Sequence, residues 1–201
     1  MDEDIIRRLF IVTAPSGAGK TTLVSEVIAK TRTGNRVITS TSRLPEVRDG
    51  KQEIDGEDYH FFSHEDFKAR VALDEFAEYE EVFAGRWYGT LKSALVDATR
   101  DGGPAYLVCD VNGAKKWIAL FPTLRSRAVF LDVPEKEMRM RLKKRGCEGA
   151  ALKTRINRFT LESAQRVAFD NVLMNKNGEL ERAVRFFIKF VALRMPNNKP
   201  L

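Results

Sequence analysis

The stretch from Ala14 to Thr21 constrains the fold more strongly than any other part of this 201-residue chain. Its sequence, A-P-S-G-A-G-K-T, matches the phosphate-loop pattern G-x-x-x-x-G-K-[ST] everywhere except at the first glycine. An apolar, β-branched run precedes it at 9–13, and apolar residues at helical spacing follow it until Gly34. A strand, a phosphate-binding loop and a helix are therefore predicted in this order.

Each residue type in the loop has a chemical reason to be there. Gly17 and Gly19 let the backbone turn its N–H groups onto phosphate oxygens, and the positive end of the following helix adds to that field. Lys20 reaches the outer phosphates, and the Thr21 hydroxyl is a ligand for Mg²⁺. The residues predicted to bind a nucleoside triphosphate are Ser16, Gly17, Ala18, Gly19, Lys20, Thr21 and Thr22.

Further apolar runs at 105–109 and 128–133 are each followed by a turn and a helix-compatible segment. This alternation is typical of βαβ units and a parallel sheet. With 43% hydrophobic and 31% charged residues, a chain of this length forms one folded domain. A net charge of +6 suits an anionic partner and by itself does not separate nucleic acid, membrane surface and phosphorylated metabolites.

Two cysteines, Cys109 and Cys147, make neither a disulfide framework nor a zinc pattern, which favours a reducing compartment. The first residues are acidic, and the apolar run from Leu9 ends at Pro15. This fits neither a signal peptide nor a membrane span. The sequence therefore predicts a cytoplasmic protein with no membrane partner.

The remaining motifs identify a family. They read T-S-T-S-R-L-P at 39–45, E-I-D-G-E-D-Y at 53–59, W-Y-G-T at 87–90 and R-L-K-K-R-G at 141–146. With the phosphate loop, they resemble guanylate kinases over nearly the whole chain. The resemblance implies transfer of the γ-phosphoryl group of ATP to GMP or dGMP with Mg²⁺, giving ADP and GDP.

The resemblance also implies the architecture. It predicts an α/β P-loop kinase fold with a parallel five-stranded core sheet flanked by helices, a small mixed β insertion that binds GMP, and a helical lid. We expect one guanylate-kinase-like domain over 1–201, with core segments 1–34, 93–138 and 156–201, the insertion at 35–92 and the lid at 139–155.

Site residues follow from the same resemblance. The expected GMP-binding residues are Thr39, Arg43, Arg48, Tyr59, Glu78, Tyr88, Thr90 and Asp110. The expected catalytic residues are Lys20, Arg141, Arg145 and Arg155. Asn175 is expected on the adenine side of ATP, and Thr21 and Asp110 are expected near the metal.

Elementary chemistry supports the base-reading pair. The pairing edge of guanine offers two donors and one acceptor, so a carboxylate at Glu78 and a hydroxyl at Thr90 select it over adenine. A buried polar pair of this kind rejects a mismatched base by roughly 10⁴. The alternative for Glu78 is a solvated acid in a glutamate-rich run, and for Tyr59 and Tyr88 it is aromatic packing.

Transfer between two polyanions needs a ring of cations, because like charges about 4 Å apart repel by about 4 kcal/mol even at an effective dielectric near 20. Planar arginines supply such a ring. No general base is required, since the attacking phosphate oxygen is already ionised. Asp110, which follows an apolar run, is either a metal-site carboxylate or a helix N-cap.

The chain departs from the family pattern in the acceptor loop. Glu46 occupies the position of a second phosphate-binding arginine, and the segment between Pro45 and Glu53 is about four residues longer. Arg48 is the expected substitute, with Lys51 as the alternative. In addition, Val108 replaces a common acid, one residue is missing from the lid, and one is added before Tyr88. We expect altered kinetics or specificity rather than a different reaction.

Three alternatives stay open at this point. The first is a related kinase of another phosphorylated acceptor, such as ribose 1,5-bisphosphate or another nucleoside monophosphate. The second is a non-catalytic guanylate-kinase-like binding module. The third, a basic nucleic-acid-binding domain, lacks a recognisable reading motif. The sequence leaves monomer and homodimer equally open.

Overall fold

The computed structural model describes residues 1–48, 50–83, 85–144 and 146–196. Its strands are β1 (Leu9–Thr13), β2 (Asn35–Arg36), β3 (Ser40–Thr41), β4 (Val47–Arg48), β5 (Lys51–Gln52), β6 (His60–Phe61), β7 (Phe76–Phe83), β8 (Arg86–Leu91), β9 (Ala105–Cys109), β10 (Ala128–Asp132) and β11 (Asn171–Met174). Its α-helices are α1 (Glu3–Arg8), α2 (Lys20–Thr31), α3 (His64–Ala72), α4 (Lys92–Thr99), α5 (Val111–Leu120), α6 (Glu135–Lys144), α7 (Gly149–Ala164) and α8 (Leu180–Ala192). Two short 3₁₀ helices span Pro122–Arg127 and Gln165–Ala168.

Five strands form the core sheet in the order β11-β10-β1-β9-β2, and every neighbouring pair is parallel. Every residue of β1 and β10 is buried, as expected for a parallel sheet covered on both faces. The predicted α/β fold with a five-stranded parallel core is confirmed. The strands predicted at 9–13 and 105–109 have those bounds, and the third ends one residue early, at Asp132.

Alternation along β1 divides the core between the two faces of the sheet. Phe10 and Val12 belong to a cluster with α2 and α8, whereas Leu9 and Ile11 belong to a cluster with α4 and α5. The buried face of α8 includes Phe187, which is fully buried. Two helical layers therefore hold the sheet, and its carboxyl edge is left for the site.

The polar middle of the chain forms a second, mixed sheet in the order β6-β3-β8-β7. β3 is parallel to β6 and antiparallel to β8, and β7 and β8 form an antiparallel pair. The extra residues of the acceptor loop form a separate hairpin, β4–β5. The predicted insertion boundary at residue 35 needs correction, because β2 pairs with β9 in the core sheet and the insertion follows it.

The predicted lid, 139–155, includes most of α6 and the beginning of α7. It is therefore helical, but its predicted bounds fall inside the two helices rather than at their ends. Across the described ranges, no helix is both long and apolar enough to span a bilayer. The phosphate loop follows β1, and Asp110 follows β9, the neighbouring strand. Both therefore lie outside the carboxyl ends of adjacent parallel strands, where ligands of open α/β sheets bind.

Candidate active site

The phosphate loop has the backbone that its glycines predict. Gly17 and Gly19 adopt positive φ angles of 85° and 97°, which a residue with a side chain rarely adopts. The Lys20 ammonium folds back across the loop and donates to the Ala14 carbonyl at 2.8 Å and the Pro15 carbonyl at 3.4 Å. Burial lowers the pKa of Lys20. The loop therefore holds a desolvated cation beside its N–H groups, ready to exchange carbonyl partners for phosphate oxygens.

Asn175 and Arg141 brace this loop from outside. Asn175 is buried, and its Nδ2 donates to the Ala18 carbonyl at 2.8 Å. Arg141 donates to the same carbonyl at 3.1 Å and to the Asn175 carbonyl at 2.9 Å. A Cβ on Gly19 would lie 2.9 Å from Asn175 Nδ2, so a side chain at position 19 would displace this amide from its place against the loop. Both predicted residues reach the phosphate loop, and the adenine role of Asn175 stays a prediction.

A carboxylate occupies part of the loop's anion cradle. The backbone N–H of Ser16 donates to Glu162 Oε2 at 3.1 Å, and Arg158 Nε donates to Glu162 Oε1 at 2.7 Å. Both side chains come from α7, and their charges act on Lys20. The sequence analysis did not single out Glu162 or Arg158, since a glutamate four residues after an arginine is an ordinary helical pair and nothing local connects it to residue 16.

The lid arginines are only partly described. Arg155 is exposed on α7, one turn before Arg158, and Arg145 lies outside the described residues. Thr21 and Thr22 are exposed residues in the first turn of α2, beside the loop. Their proposed contacts to phosphate and metal stay predictions.

Arg43 forms the centre of a cluster that we call the acceptor-phosphate corner, after the role predicted for its residues. Its guanidinium donates to both carboxylate oxygens of Glu53, at 2.5 Å and 2.8 Å, and both side chains are almost completely buried. Arg43 Nε also donates to the Tyr88 hydroxyl at 3.2 Å, and the guanidinium lies 5.0 Å from the centre of the Tyr59 ring. Burial opposes the charge of Arg43, but the hydrogen bonds to Glu53 and Tyr88 outweigh it and raise its pKa.

The predicted residues Arg43, Tyr59 and Tyr88 are thus brought together, and Glu53 is the partner that sequence reasoning left without a role. The longer loop does not disturb the pair, because its extra residues form the β4–β5 hairpin and return Glu53 to Arg43. The backbone of Arg48 belongs to β4, and its side chain lies outside the described part of the chain. The half-buried Thr39 accepts the backbone N–H of His60 at 2.8 Å through its carbonyl.

The predicted base-reading pair, Glu78 and Thr90, lies on neighbouring strands of the same mixed sheet. Glu78 on β7 is directly opposite Thr90 on β8, and the Thr90 hydroxyl donates to Glu78 Oε1 at 2.9 Å. Burial raises the pKa of Glu78, while the hydrogen bond from Thr90, the charge of Lys116 and the indole of Trp117 lower it. Glu78 is therefore not the fully solvated acid of the alternative interpretation.

Cys109 and Asp110 stand at the end of β9, next to the phosphate loop that follows β1. Burial raises the pKa of the Cys109 thiol, and charges of Asp110, Glu78 and Lys20 all act on that thiol. Asp110 is the N-cap of α5, and its Oδ1 accepts the Gly113 N–H at 2.8 Å. The helix-cap interpretation is therefore confirmed for one oxygen of Asp110, and its role near a metal stays a prediction. The Cys109 thiol therefore lies within electrostatic reach of both Lys20 in the phosphate loop and Glu78 on the mixed sheet.

Together these features define the class: a P-loop kinase with its phosphate loop at the carboxyl edge of a parallel core sheet and a second, mixed sheet that carries the predicted acceptor residues. A family model described as guanylate kinase matches residues 6–191. The guanylate kinase of Prochlorococcus marinus (strain MIT 9312) is 35% identical over 187 residues, which cover 92% of this chain and 97% of that protein. That of Salinibacter ruber (strain DSM 13855 / M31) is 36% identical over 171 residues, covering 84% and 88%.

A solved structure agrees with these relatives. The crystal structure of guanylate kinase from Anaplasma phagocytophilum aligns with a TM-score of 0.67 and 26% sequence identity, over 94% of this chain and 87% of that one. The chain belongs to the guanylate kinase family. Members of this family are ATP-dependent nucleoside monophosphate kinases.

Proposed function

We propose that this protein transfers the γ-phosphoryl group of ATP to GMP, or to dGMP, and releases ADP and GDP. The observation that carries the choice of acceptor is the Thr90–Glu78 hydrogen bond of 2.9 Å. When guanine binds, the Glu78 carboxylate accepts its N1–H and exocyclic amine, and the Thr90 hydroxyl rotates its one proton from Glu78 to guanine O6. Adenine would leave these buried groups mismatched, which costs roughly 10⁴ in specificity. A sugar bisphosphate would leave the pair without a partner.

The acceptor phosphate belongs beside Arg43. The Tyr88 hydroxyl is already bonded to Arg43, and the Tyr59 ring lies against the same guanidinium. Because Glu53 already holds the Arg43 guanidinium in place, Arg43 loses little side-chain freedom when its other N–H groups bind a phosphate. This favours phosphate binding. In the proposed site, Tyr59 and Tyr88 donate their hydroxyls to the phosphate of GMP, and Thr39 and Arg48 complete its surroundings.

The donor phosphates belong in the loop at Ser16–Thr22, with Lys20 between the two substrates. Its ammonium exchanges the Ala14 and Pro15 carbonyls for phosphate oxygens of ATP. In this proposal Arg141, Arg145 and Arg155 of the lid close on the transferring phosphoryl group, and Asn175 lies on the adenine side. Catalysis then consists of alignment and charge neutralisation, because the attacking GMP oxygen is ionised before the reaction starts.

Magnesium fits this donor set. Across the part of the chain that the structure describes, no three acidic, histidine or cysteine residues cluster as a metal site. That is typical of Mg²⁺, which is bound by one or two protein oxygens, substrate phosphates and water. The hydroxyl of Thr21, an exposed residue, and the Asp110 carboxylate are the groups that would hold the ion or its water. Bound there, Mg²⁺ would neutralise charge on the ATP phosphates.

The proposal also covers the partners of the enzyme, its oligomeric state and its location in the cell. Its partners are the small nucleotides ATP and GMP, with neither nucleic acid nor a membrane among them, and either a monomer or a homodimer accommodates the site. A cytoplasmic location agrees with its two free thiols, Cys109 and Cys147. The core, the insertion and the lid act as parts of a single domain.

A coupled assay of ADP release tests the proposal with GMP, dGMP, IMP, AMP and UMP as acceptors. We expect turnover with GMP and dGMP and a kcat/KM roughly 10⁴-fold lower with AMP, because adenine leaves the buried pair mismatched. UMP should also be a poor acceptor. IMP, which lacks the exocyclic amine, should fall between GMP and AMP. Turnover with AMP but none with GMP would reject the assignment. Nucleotide binding without turnover would instead identify a non-catalytic module.

A further inference from the structure

Glu46 lies near two arginines in the acceptor-phosphate corner. Its Oε1 lies 4.0 Å from Arg43 Nε and 3.8 Å from a guanidinium nitrogen of Arg86. Arg43 is the buried arginine of the proposed phosphate site, whereas the Arg86 side chain is about half exposed. Arg86 therefore lies near the same carboxylate oxygen as Arg43, and its exposure leaves it room to adjust to a ligand.

The register of β8 places Arg86 on the substrate-facing side of the sheet. Residues 86, 88 and 90 alternate along the strand and share one face. Thr90 on this face holds the base-reading Glu78, and Tyr88 bonds to Arg43. Along this face, the Thr90 hydroxyl comes first, then the Tyr88 hydroxyl, then the Arg86 guanidinium. This order matches GMP, which has its base at one end and its phosphate at the other.

We propose that Arg86 is the second arginine that binds the 5′-phosphate of the acceptor. The inference rests on the proposed function. A carboxylate and a phosphate present similar oxygens to a guanidinium, so the carboxylate of Glu46 holds the place of the phosphate between the two arginines. When GMP binds, its phosphate replaces that carboxylate, and no covalent bond or proton changes place.

Glu46 is able to make this exchange without disturbing the corner. Its side chain is nearly half exposed, so it turns toward solvent at little cost. Its backbone N–H donates to Glu53 Oε2 at 2.9 Å, so the main chain stays attached to the buried pair. Arg86 on β8 thereby supplies the positive charge that the family pattern has at position 46. It lies close to the extra residue that this chain has before Tyr88.

Equilibrium binding of GMP and guanosine to Arg86→Ala tests this directly, because guanosine lacks the phosphate. Removing a charged hydrogen-bonding partner of phosphate should raise the Kd for GMP about tenfold or more. The Kd for guanosine should stay within about twofold. Arg100→Ala, at an exposed arginine on the far end of α4, is the matched control and should change neither Kd. Glu46→Gln should bind GMP more tightly, because the competing charge is gone.

The outcomes separate the two proposals. Equal Kd values for GMP in wild type and Arg86→Ala, or an equal loss for GMP and guanosine, would overturn the role of Arg86. So would Arg48→Ala carrying the whole tenfold loss in place of Arg86→Ala. If the wild-type protein binds AMP as well as GMP, the proposed function fails instead, whatever the variants do.

Discussion

Thr90 donates its hydroxyl to Glu78 Oε1 across 2.9 Å, from directly opposite positions on two antiparallel strands. The hydrogen bond fixes the carboxylate on a half-buried surface where an isolated charge is costly. A polar pair in such a place needs a polar ligand to complete it. The arrangement is therefore suited to specificity rather than to stability.

Replacing Glu78 with Gln should remove the choice of base. The amide places an N–H₂ group where guanine also has donors, so kcat/KM for GMP should fall by roughly 10³ or more. The value for AMP should change little, because AMP never used the carboxylate. Steady-state rates with both acceptors measure the ratio. Glu65→Gln, at an exposed acid on α3, is the control. An undiminished preference for GMP in Glu78→Gln would show that Glu78 does not read the base.

The pH dependence of GMP binding should report the same carboxyl group. Burial raises the pKa of Glu78, so it protonates at a higher pH than an ordinary glutamate. The protonated form no longer accepts two hydrogen bonds, and KM for GMP should rise as the pH falls through this raised pKa. In Glu78→Gln the acid limb of the profile should disappear. Retention of that limb would assign it to another group.

The sign for stability is opposite to the sign for binding. The folded state of a carboxyl group with a raised pKa binds protons more readily than the unfolded state, so stability falls as pH rises through that window. Glu78→Gln should therefore unfold at a higher urea concentration than wild type at neutral pH, and the difference should vanish in acid. A variant less stable than wild type at neutral pH would contradict this account.

How much of this was visible in the sequence depends on the range of each interaction. Strands at 9–13 and 105–109 were predictable because a buried parallel strand is a continuous apolar run. Lys20 was predictable because its spacing from two glycines is fixed by the loop's chemistry. The pair Glu78–Thr90 followed only from the family resemblance, because the sequence alone favours a solvated glutamate run.

Other relationships join distant segments and carry no local signal. Ser16 and Glu162 are 146 positions apart, and the contact depends on how α7 lies against the phosphate loop. β2 has only two residues, which is too short to show the alternation of buried and exposed residues that marks a strand. The sequence therefore gives no local reason to assign them to the core rather than to the insertion. The extra acceptor-loop residues gave no indication of the hairpin that returns Glu53 to Arg43.

The buried pair of Arg43 and Glu53 should be the most sensitive feature of the insertion. Glu53→Ala leaves a guanidinium almost completely buried without its bidentate carboxylate, and should cost about 3–5 kcal/mol in the free energy of unfolding. Urea unfolding measures this cost. Glu57→Ala, at a neighbouring exposed acid, should stay within about 0.5 kcal/mol of wild type.

A double variant separates stability from binding at this pair. Replacing Arg43 and Glu53 together with Met removes both buried charges and should recover most of the stability. It should not recover GMP affinity, because the phosphate has lost its arginine. Recovery of both properties would mean that Arg43 is structural only.

Lys20→Met should remove turnover with every acceptor while leaving the fold intact. Burial lowers the pKa of Lys20, so its charged form is held in the loop at a cost, and removal should not lower the thermal unfolding temperature. The rate should fall by roughly 10³ or more, because the cation between the phosphates is lost. Lys68→Met, at an exposed lysine on α3, is the control. Substantial turnover in Lys20→Met would place the catalytic cation elsewhere.

Glu162 should act as a competitor of ATP. Its carboxylate accepts the Ser16 N–H that a phosphate oxygen needs, so it has to leave when the nucleotide binds. An anion that stayed about 4 Å from a phosphate would be repelled by about 4 kcal/mol at an effective dielectric near 20. Glu162→Gln keeps an oxygen acceptor but removes the charge, and should lower the Kd for ADP about fivefold, which corresponds to about 1 kcal/mol.

Titration calorimetry with ADP tests this against a variant of equal net charge. Glu181→Gln removes an exposed acid that pairs with Lys30 on the far side of α2, so its Kd should stay at the wild-type value. If the two variants bind ADP equally tightly, net charge explains the gain. If Glu162→Gln binds more weakly than wild type, the carboxylate supports the loop in the complex as well. Only a gain confined to Glu162→Gln identifies the carboxylate as an occupant that ATP displaces from its own phosphate site.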